Sequence, residues 1–187
     1  MKQLFLLAAE LDQFLREKGW KYCFIGGLAL QRWGEPRVTM DVDLTLWTGL
    51  GEEGKYIDEF LSRYGGRRGN AKTFALANRV LLLESPGKIG IDVALAGFDF
   101  ENRVIARATP FEFIPGKPIV TCSAEDLVIL KAFADRERDW VDIRGILVRQ
   151  KGRMDWHDVQ NQLTGLCELK EAPEIPEKLQ RLYKTIK

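Results

Sequence analysis

Between Val38 and Trp47 the side chains alternate: Val38, Met40, Val42, Leu44 and Leu46 are apolar, while Thr39, Asp41, Asp43 and Thr45 are polar. A period of two is that of a β-strand with one face in a core. Residues i and i+2 of a strand point the same way, roughly 7 Å apart, so Asp41 and Asp43 project together from the other face. Like charges held this close repel, and a fold keeps them when a cation lies between them. A divalent metal is the usual one.

The chain has 187 residues, 45% of them hydrophobic and 29% charged, which suits a globular protein with a proper core. Lys and Arg total 28 against 27 Asp and Glu, so the overall basic excess of a dedicated nucleic-acid binder is missing. Cys23, Cys122 and Cys167 are scattered, odd in number and without metal-ligand spacing. They read as small buried hydrophobes in a reduced, cytoplasmic protein. No apolar run reaches membrane-spanning length, and Glu10 and Asp12 interrupt the apolar stretch Phe5 to Ala9, so neither a membrane association nor a signal peptide is expected. Leu4, Leu7, Ala8, Leu11, Phe14 and Leu15 instead fall at helical spacing.

After that helix, Tyr22 to Ile25 reads as a short buried strand, running into Gly26-Gly27 and a helical stretch from Leu28 to Trp33. The carboxylate strand follows, then a helix near 53–64 and a loop of glycine and arginine from Gly65 to Asn70. Thr73 to Ala77 and Arg79 to Glu84 read as a hairpin, and Ile89 to Ala96 as a strand whose only charge is Asp92. Edge strands are expected within 103–114. Pro110, Pro115, Gly116 and Pro118 read as a boundary, dividing a core over 1–118 from a helical C-terminal region over 119–187. Ser123 and Asp126 resemble a capping box. Lys131, Asp135, Arg138 and Asp142, at steps of four, three and four, line up as one charged helical face, either a solvated row of i,i+4 pairs or a functional surface.

A double glycine at a strand-to-helix turn lets backbone approach an anion, and the amides of the helix start favour phosphate there. With Asp41 and Asp43 on the next strand, metal between carboxylates and a triphosphate is the expected outcome. Asp92 adds a third carboxylate, lifted from a strand where an unpaired charge is costly. Three carboxylates on neighbouring strands suit a two-metal, in-line displacement at phosphorus. Arg37 and Thr39 just precede the acid pair; Arg37 either neutralises phosphate or acid charge, or forms a strand-edge salt bridge. Other chemistries are disfavoured. His157 is the sole histidine and reads as a helix-surface residue, far from any nucleophile turn. Gly65-Gly66-Arg67-Arg68-Gly69 lacks the Lys-Ser/Thr of a P-loop and reads as a flexible basic loop. The five tryptophans read as core or interface anchors.

Gly26-Gly27, a short helix, Asp41-Val42-Asp43 and the later Asp92 together resemble the polymerase-beta-like nucleotidyltransferase superfamily. The Arg-x-Thr-x-Asp-x-Asp form at 37–43, with Asp126-Leu127, Lys131, Arg138-Asp139 and Asp142, is similar to the AbiEii-type toxin nucleotidyltransferases of toxin–antitoxin and phage-defence systems. The resemblance covers roughly residues 20 to 145. It implies an α+β fold: a mixed β-sheet core with helices on one face and a helical C-terminal region closing over the nucleotide. It also implies that Asp41 and Asp43 bind two Mg2+ ions, and that Asp92 binds the catalytic metal and helps deprotonate the acceptor hydroxyl. Gly26, Gly27, Arg37, Thr39, Lys131 and Arg138 would contact the nucleotide; Lys72 is a weaker candidate. The implied activity moves an NMP from an NTP to a hydroxyl on RNA, such as a tRNA end, with pyrophosphate release, and implies an antitoxin partner. A small-molecule acceptor, as for antibiotic nucleotidyltransferases, and a non-catalytic nucleotide- or partner-binding module are the alternatives.

Overall fold

The computed structural model describes residues 1–186. They form two compact units, Met1–Leu28 with Val38–Cys122, and Ala29–Arg37 with the described residues from Ser123 onward.

The first unit is built on a mixed seven-stranded sheet. Its strands are β1 (Tyr22–Phe24), β2 (Asp41–Trp47), β3 (Gly65–Gly66), β4 (Val80–Glu84), β5 (Gly90–Ala96), β6 (Thr109–Ile114) and β7 (Lys117–Thr121), in the order β3-β4-β5-β2-β1-β7-β6. β2 is antiparallel to β1 and parallel to β5, with Asp43 opposite Asp92 and Leu44 opposite Val93. Alternation then sorts the side chains. Val42, Leu44, Leu46, Leu81, Leu83, Ile91 and Val93 are fully buried in one cluster. That cluster also takes Leu4, Leu11 and Phe14 of α1 (Lys2–Glu17), Ile57 and Phe60 of α3 (Glu53–Leu61), and Ala71 and Ala75 of α4 (Ala71–Asn78). Trp20 extends it, edge-on to Phe14 and Tyr56 at ring-centroid distances of 5.8 and 4.7 Å.

Four local expectations are corrected. Thr73 to Ala77 is not a hairpin strand but part of α4; the buried residues Ala71 and Ala75 are one helical turn apart, and Arg79 ends the helix at φ 53°. The stretch before β6 holds a helix, α5 (Asp99–Ala106), because Glu101 reaches back to accept from the amides of Gly97 and Phe98 at 2.8 and 3.1 Å. The carboxylate strand begins at Asp41 rather than Val38, and Val38 and Met40 are exposed. The prolines from 110 to 118 flank a tight β6–β7 turn with Gly116 at φ 73°; the division between units falls later, after Cys122.

A buried carboxylate ties α1 to the sheet. Asp12, with no exposed surface, accepts the Tyr22 hydroxyl at 2.7 Å and the Val120 amide at 3.1 Å through Oδ1. Arg16 Nη2 lies 2.7 Å from Oδ2, close enough for an ion pair but outside hydrogen-bond alignment. Burial, with Asp12 beside it, pushes the Tyr22 phenol up.

The second unit contains most of α2 (Gly26–Trp33), together with α6 (Ala124–Ala134), α7 (Glu137–Arg149), α8 (Trp156–Lys170) and α9 (Glu174–Ile186). Ser123 caps α6, its Oγ accepting the Asp126 amide at 3.1 Å. His157 is exposed on α8, 2.9 Å from Asn161, and Cys23, Cys122 and Cys167 are buried thiols outside any disulfide. Among the described residues no helix is long and apolar enough to cross a membrane.

Asp12→Ala should lower the unfolding free energy of the full chain by about 1–3 kcal/mol in urea, because it leaves the half-buried Val120 amide without its acceptor and the Tyr22 hydroxyl with only the backbone carbonyl of residue 12. Tyr22→Phe should cost about 1 kcal/mol.

Candidate active site

The sheet face opposite the main cluster carries the acids. Asp41 and Asp43 are successive residues on that face of β2, and Asp92 stands beside Asp43 on β5, where parallel neighbours are about 4.8 Å apart. All three are partly exposed. Two glycines make the room they occupy. Gly26, at φ 57°, adopts a backbone that L side chains disfavour, and a Cβ there would lie 2.1 Å from Asp43 Oδ2. A Cβ on Gly90, the residue opposite Asp41, would lie 2.2 Å from Asp41 Oδ1. Gly27 donates its amide to Asp43 Oδ2 at 3.3 Å, and Thr39 packs so closely on it that a Cβ on Gly27 would meet Thr39 Oγ1 at 2.4 Å. The turn at 26–27 and the start of β2 are therefore one packed unit.

Gly90 is a site residue that the alternation at 89–96 hid, since it reads there only as a small residue on the polar side. Arg67 is another. The loop expected to be free and basic is tethered: Gly65 and Gly66 pair with β4, the Arg67 amide donates to Leu82 O at 3.0 Å, and the Arg67 guanidinium forms an ion pair with Asp92. No sequence signal placed this arginine opposite an aspartate 25 positions away.

Arg37, Lys131 and Arg138 belong to the second unit. Arg37 grips Asp142 with two parallel hydrogen bonds, from Nε and Nη2, each 2.8 Å. Lys131, only 6% exposed, donates to Asp139 at 3.0 Å and to Asp142 at 2.7 Å. The single charged face expected from 131 to 142 does not exist as one helix. Asp135 ends α6 at φ 53°, and α7 starts afresh at Glu137. Lys131 consequently pairs with residues eight and eleven positions on, while Asp135 accepts from Lys178 and Trp140 at 2.9 and 2.6 Å. Arg138 is exposed in the first turn of α7.

Burial pushes the Asp142 carboxyl up, but the hydrogen bonds from Arg37 and Lys131 outweigh it and hold it below the usual carboxylate range. A group depressed in the folded state adds stability that is present above its unfolded pKa, about 3.9, and lost as pH falls through the folded value.

The donor set of Asp41, Asp43 and Asp92 is all oxygen, which suits a hard divalent cation such as Mg2+. The lack of a side chain at Gly26 and Gly90 makes room for the Asp43 and Asp41 carboxylates respectively. Among the described residues no three His, Cys, Asp or Glu side chains already form a metal cage; Asp92 is instead held by Arg67.

A mixed α+β sheet with a Gly-Gly turn, an acid-x-acid strand and a third acid on the adjacent strand defines a polymerase-beta-like nucleotidyltransferase. The chain belongs to the AbiEii family, described as nucleotidyl transferase AbiEii toxin of type IV toxin–antitoxin systems, whose profile matches residues 6–159. No curated protein is similar enough to be matched. An antigenic nucleotidyltransferase-like protein from Paracoccidioides brasiliensis shares the fold, with a TM-score of 0.52 and 20% identity over 96% of this chain and 93% of that one. The antibiotic-resistance factor ANT(2'')-Ia is similar over 98% of this chain and 92% of its own, with 19% identity and a TM-score of 0.47.

Gly90→Ala should destabilise the chain by about 1–3 kcal/mol in urea, and adding Asp41→Ala should return most of that loss because the clashing partner is gone. In acid, wild-type stability should fall as pH drops below about 4. Asp142→Asn should be less stable at pH 7 and show a shallower acid limb, followed by circular dichroism across a pH series.

Proposed function

We propose that the protein is a Mg2+-dependent nucleotidyltransferase that moves an NMP from an NTP to a hydroxyl of RNA, with release of pyrophosphate, as the toxin of a toxin–antitoxin pair. The observation that carries the metal-dependent reading is the register of Asp43 against Asp92, with Asp41 one step along the same face. Asp41 and Asp43 would hold both ions and Asp92 one of them. Bound there, Mg2+ neutralises phosphate charge and acidifies the attacking hydroxyl.

The chain's own groups do the rest. The amides and close-packed backbone of Gly26 and Gly27 accommodate the phosphates at the start of α2, with Thr39 fixing that turn. Asp92 takes the proton from the acceptor hydroxyl as its oxygen attacks the α-phosphorus. The bond from that phosphorus to the α,β-bridging oxygen breaks in line, and pyrophosphate leaves with the electron pair. Arg37, Lys131 and Arg138 supply positive charge to the nucleotide phosphates. For Arg37 and Lys131 this needs a change of partner, since both are held by Asp142. A cytoplasmic location follows for an enzyme using cellular NTPs, and a protein antitoxin would be its regulator.

A small hydroxylated acceptor is the second reading, favoured by the near balance of 28 basic and 27 acidic residues.

Incubation of the full chain with each labelled NTP, Mg2+ and total RNA or small-molecule extract tests the proposal. Label should transfer to RNA and fall by about a thousandfold or more in Asp41→Ala and Asp92→Ala, as expected when several kcal/mol of metal-assisted stabilisation are lost. Label only in the small-molecule fraction would favour the second reading. No transfer at all, with no metal-dependent NTP binding, would refute both.

A further inference from the structure

We infer that Arg67 is the built-in counter-cation of the acid-bearing face, holding Asp92 until a divalent cation takes its place. The inference rests on the metal-binding reading of Asp41, Asp43 and Asp92. Three carboxylates on adjacent positions of two strands cannot all remain unscreened in a partly buried site, and the sheet itself delivers the screening charge. β3 is only two residues long, pairing Gly65 with Glu84 and Gly66 with Leu83. The next amide, that of Arg67, donates to the carbonyl of Leu82 at 3.0 Å. Leu82 is the β4 residue directly opposite Asp92. The backbone of Arg67 is thus fixed with one strand, β4, between it and the aspartate its guanidinium engages.

Gly90 marks where the guanidinium lies. A Cβ at Gly90 would lie 3.3 Å from Arg67 Nη1 as well as 2.2 Å from Asp41 Oδ1, so the arginine and Asp41 border the same side-chain-sized gap. Arg67 and Asp92 are each about one-third exposed, 31% and 32%. A pair this open is exchangeable rather than locked, since ion pairs in contact with water are weak and a divalent cation competes for the same oxygens. Arg67 therefore lowers apparent metal affinity and keeps the acids together when no cation is bound.

The test is Mn2+ binding to the full chain, read from the loss of the free-ion paramagnetic resonance signal, for wild type, R67M, R67K and D92N. R67M should bind about two- to fivefold more tightly than wild type, the range an exposed ion pair corresponds to. R67K, which retains the charge, should stay close to wild type, and D92N should bind weakly. R67Q replaces R67M if methionine lowers the urea midpoint. Equal affinities for wild type and R67M, or weaker binding by R67M, would overturn the counter-cation role while leaving the metal site standing. Absence of Mn2+ binding in both would overturn the metal reading and this inference with it.

Discussion

The first unit is organised around a repulsion. Asp43 and Asp92 face each other across parallel strands, and Asp41 stands two residues from Asp43 on the same face. Partly withdrawn from water, these groups repel more strongly than they would in bulk solvent. The surrounding choices fit that constraint. The other face of the same strands is a continuous aliphatic layer, which holds β2 and β5 together despite the charge they carry. Glycine is favoured at 26 by a positive φ and by the Asp43 side chain packed against it, and glycine at 90 leaves the Asp41 carboxylate where it stands. The register neighbours farther along that face, Cys23, Thr45 and Ala94, are small. A left-handed glycine turn, a side-chain gap and an arginine with β4 between it and Asp92 all border these carboxylates.

Much of this was legible because strand periodicity is a strong signal. Alternation over 41–47 and 90–96 separated the core face from the acid face, and the order of Gly26-Gly27, Asp41, Asp43 and Asp92 carried the superfamily. Short or mixed segments were not legible. Thr73 to Ala77 is too short for a period of two to be told from a period of 3.6, and the deciding contacts of Ala71 and Ala75 come from the distant core. For α5 the local signal was present in Glu101, whose carboxylate caps the amides of 97 and 98, but Val104 and Ile105 also suit a strand. Arg67 and Gly90 were invisible for a different reason: their importance depends on a cross-strand neighbour, and pairing partners are not written in local pattern.

The second unit shows how one backbone dihedral redirects a charge network. Had the helix run on through Asp135, Lys131 would have faced Asp135 at the ordinary i,i+4 distance, in water. The left-handed residue at 135 turns the chain and places Asp139 and Asp142 against Lys131 in a buried position. Arg37 completes the set with a planar, two-point grip on Asp142, leaving two cations and two carboxylates that balance in charge. Buried pairs of this kind contribute modestly while intact and cost several kcal/mol when halved.

Asp12 has a bearing on assembly as well as on stability. Its Oδ1 accepts the amide of Val120, a residue of β7, which is flanked by β1 on one side and by β6 on the other. A one-residue slip of β7 would turn its side chains to the opposite faces and carry the Val120 donor away from the fully buried acceptor. α1, which precedes β7 in the chain, thus acts as a gauge for the register of that strand. It recognises a correctly registered β7 by an amide and penalises every other alignment, which a purely greasy helix face could not do.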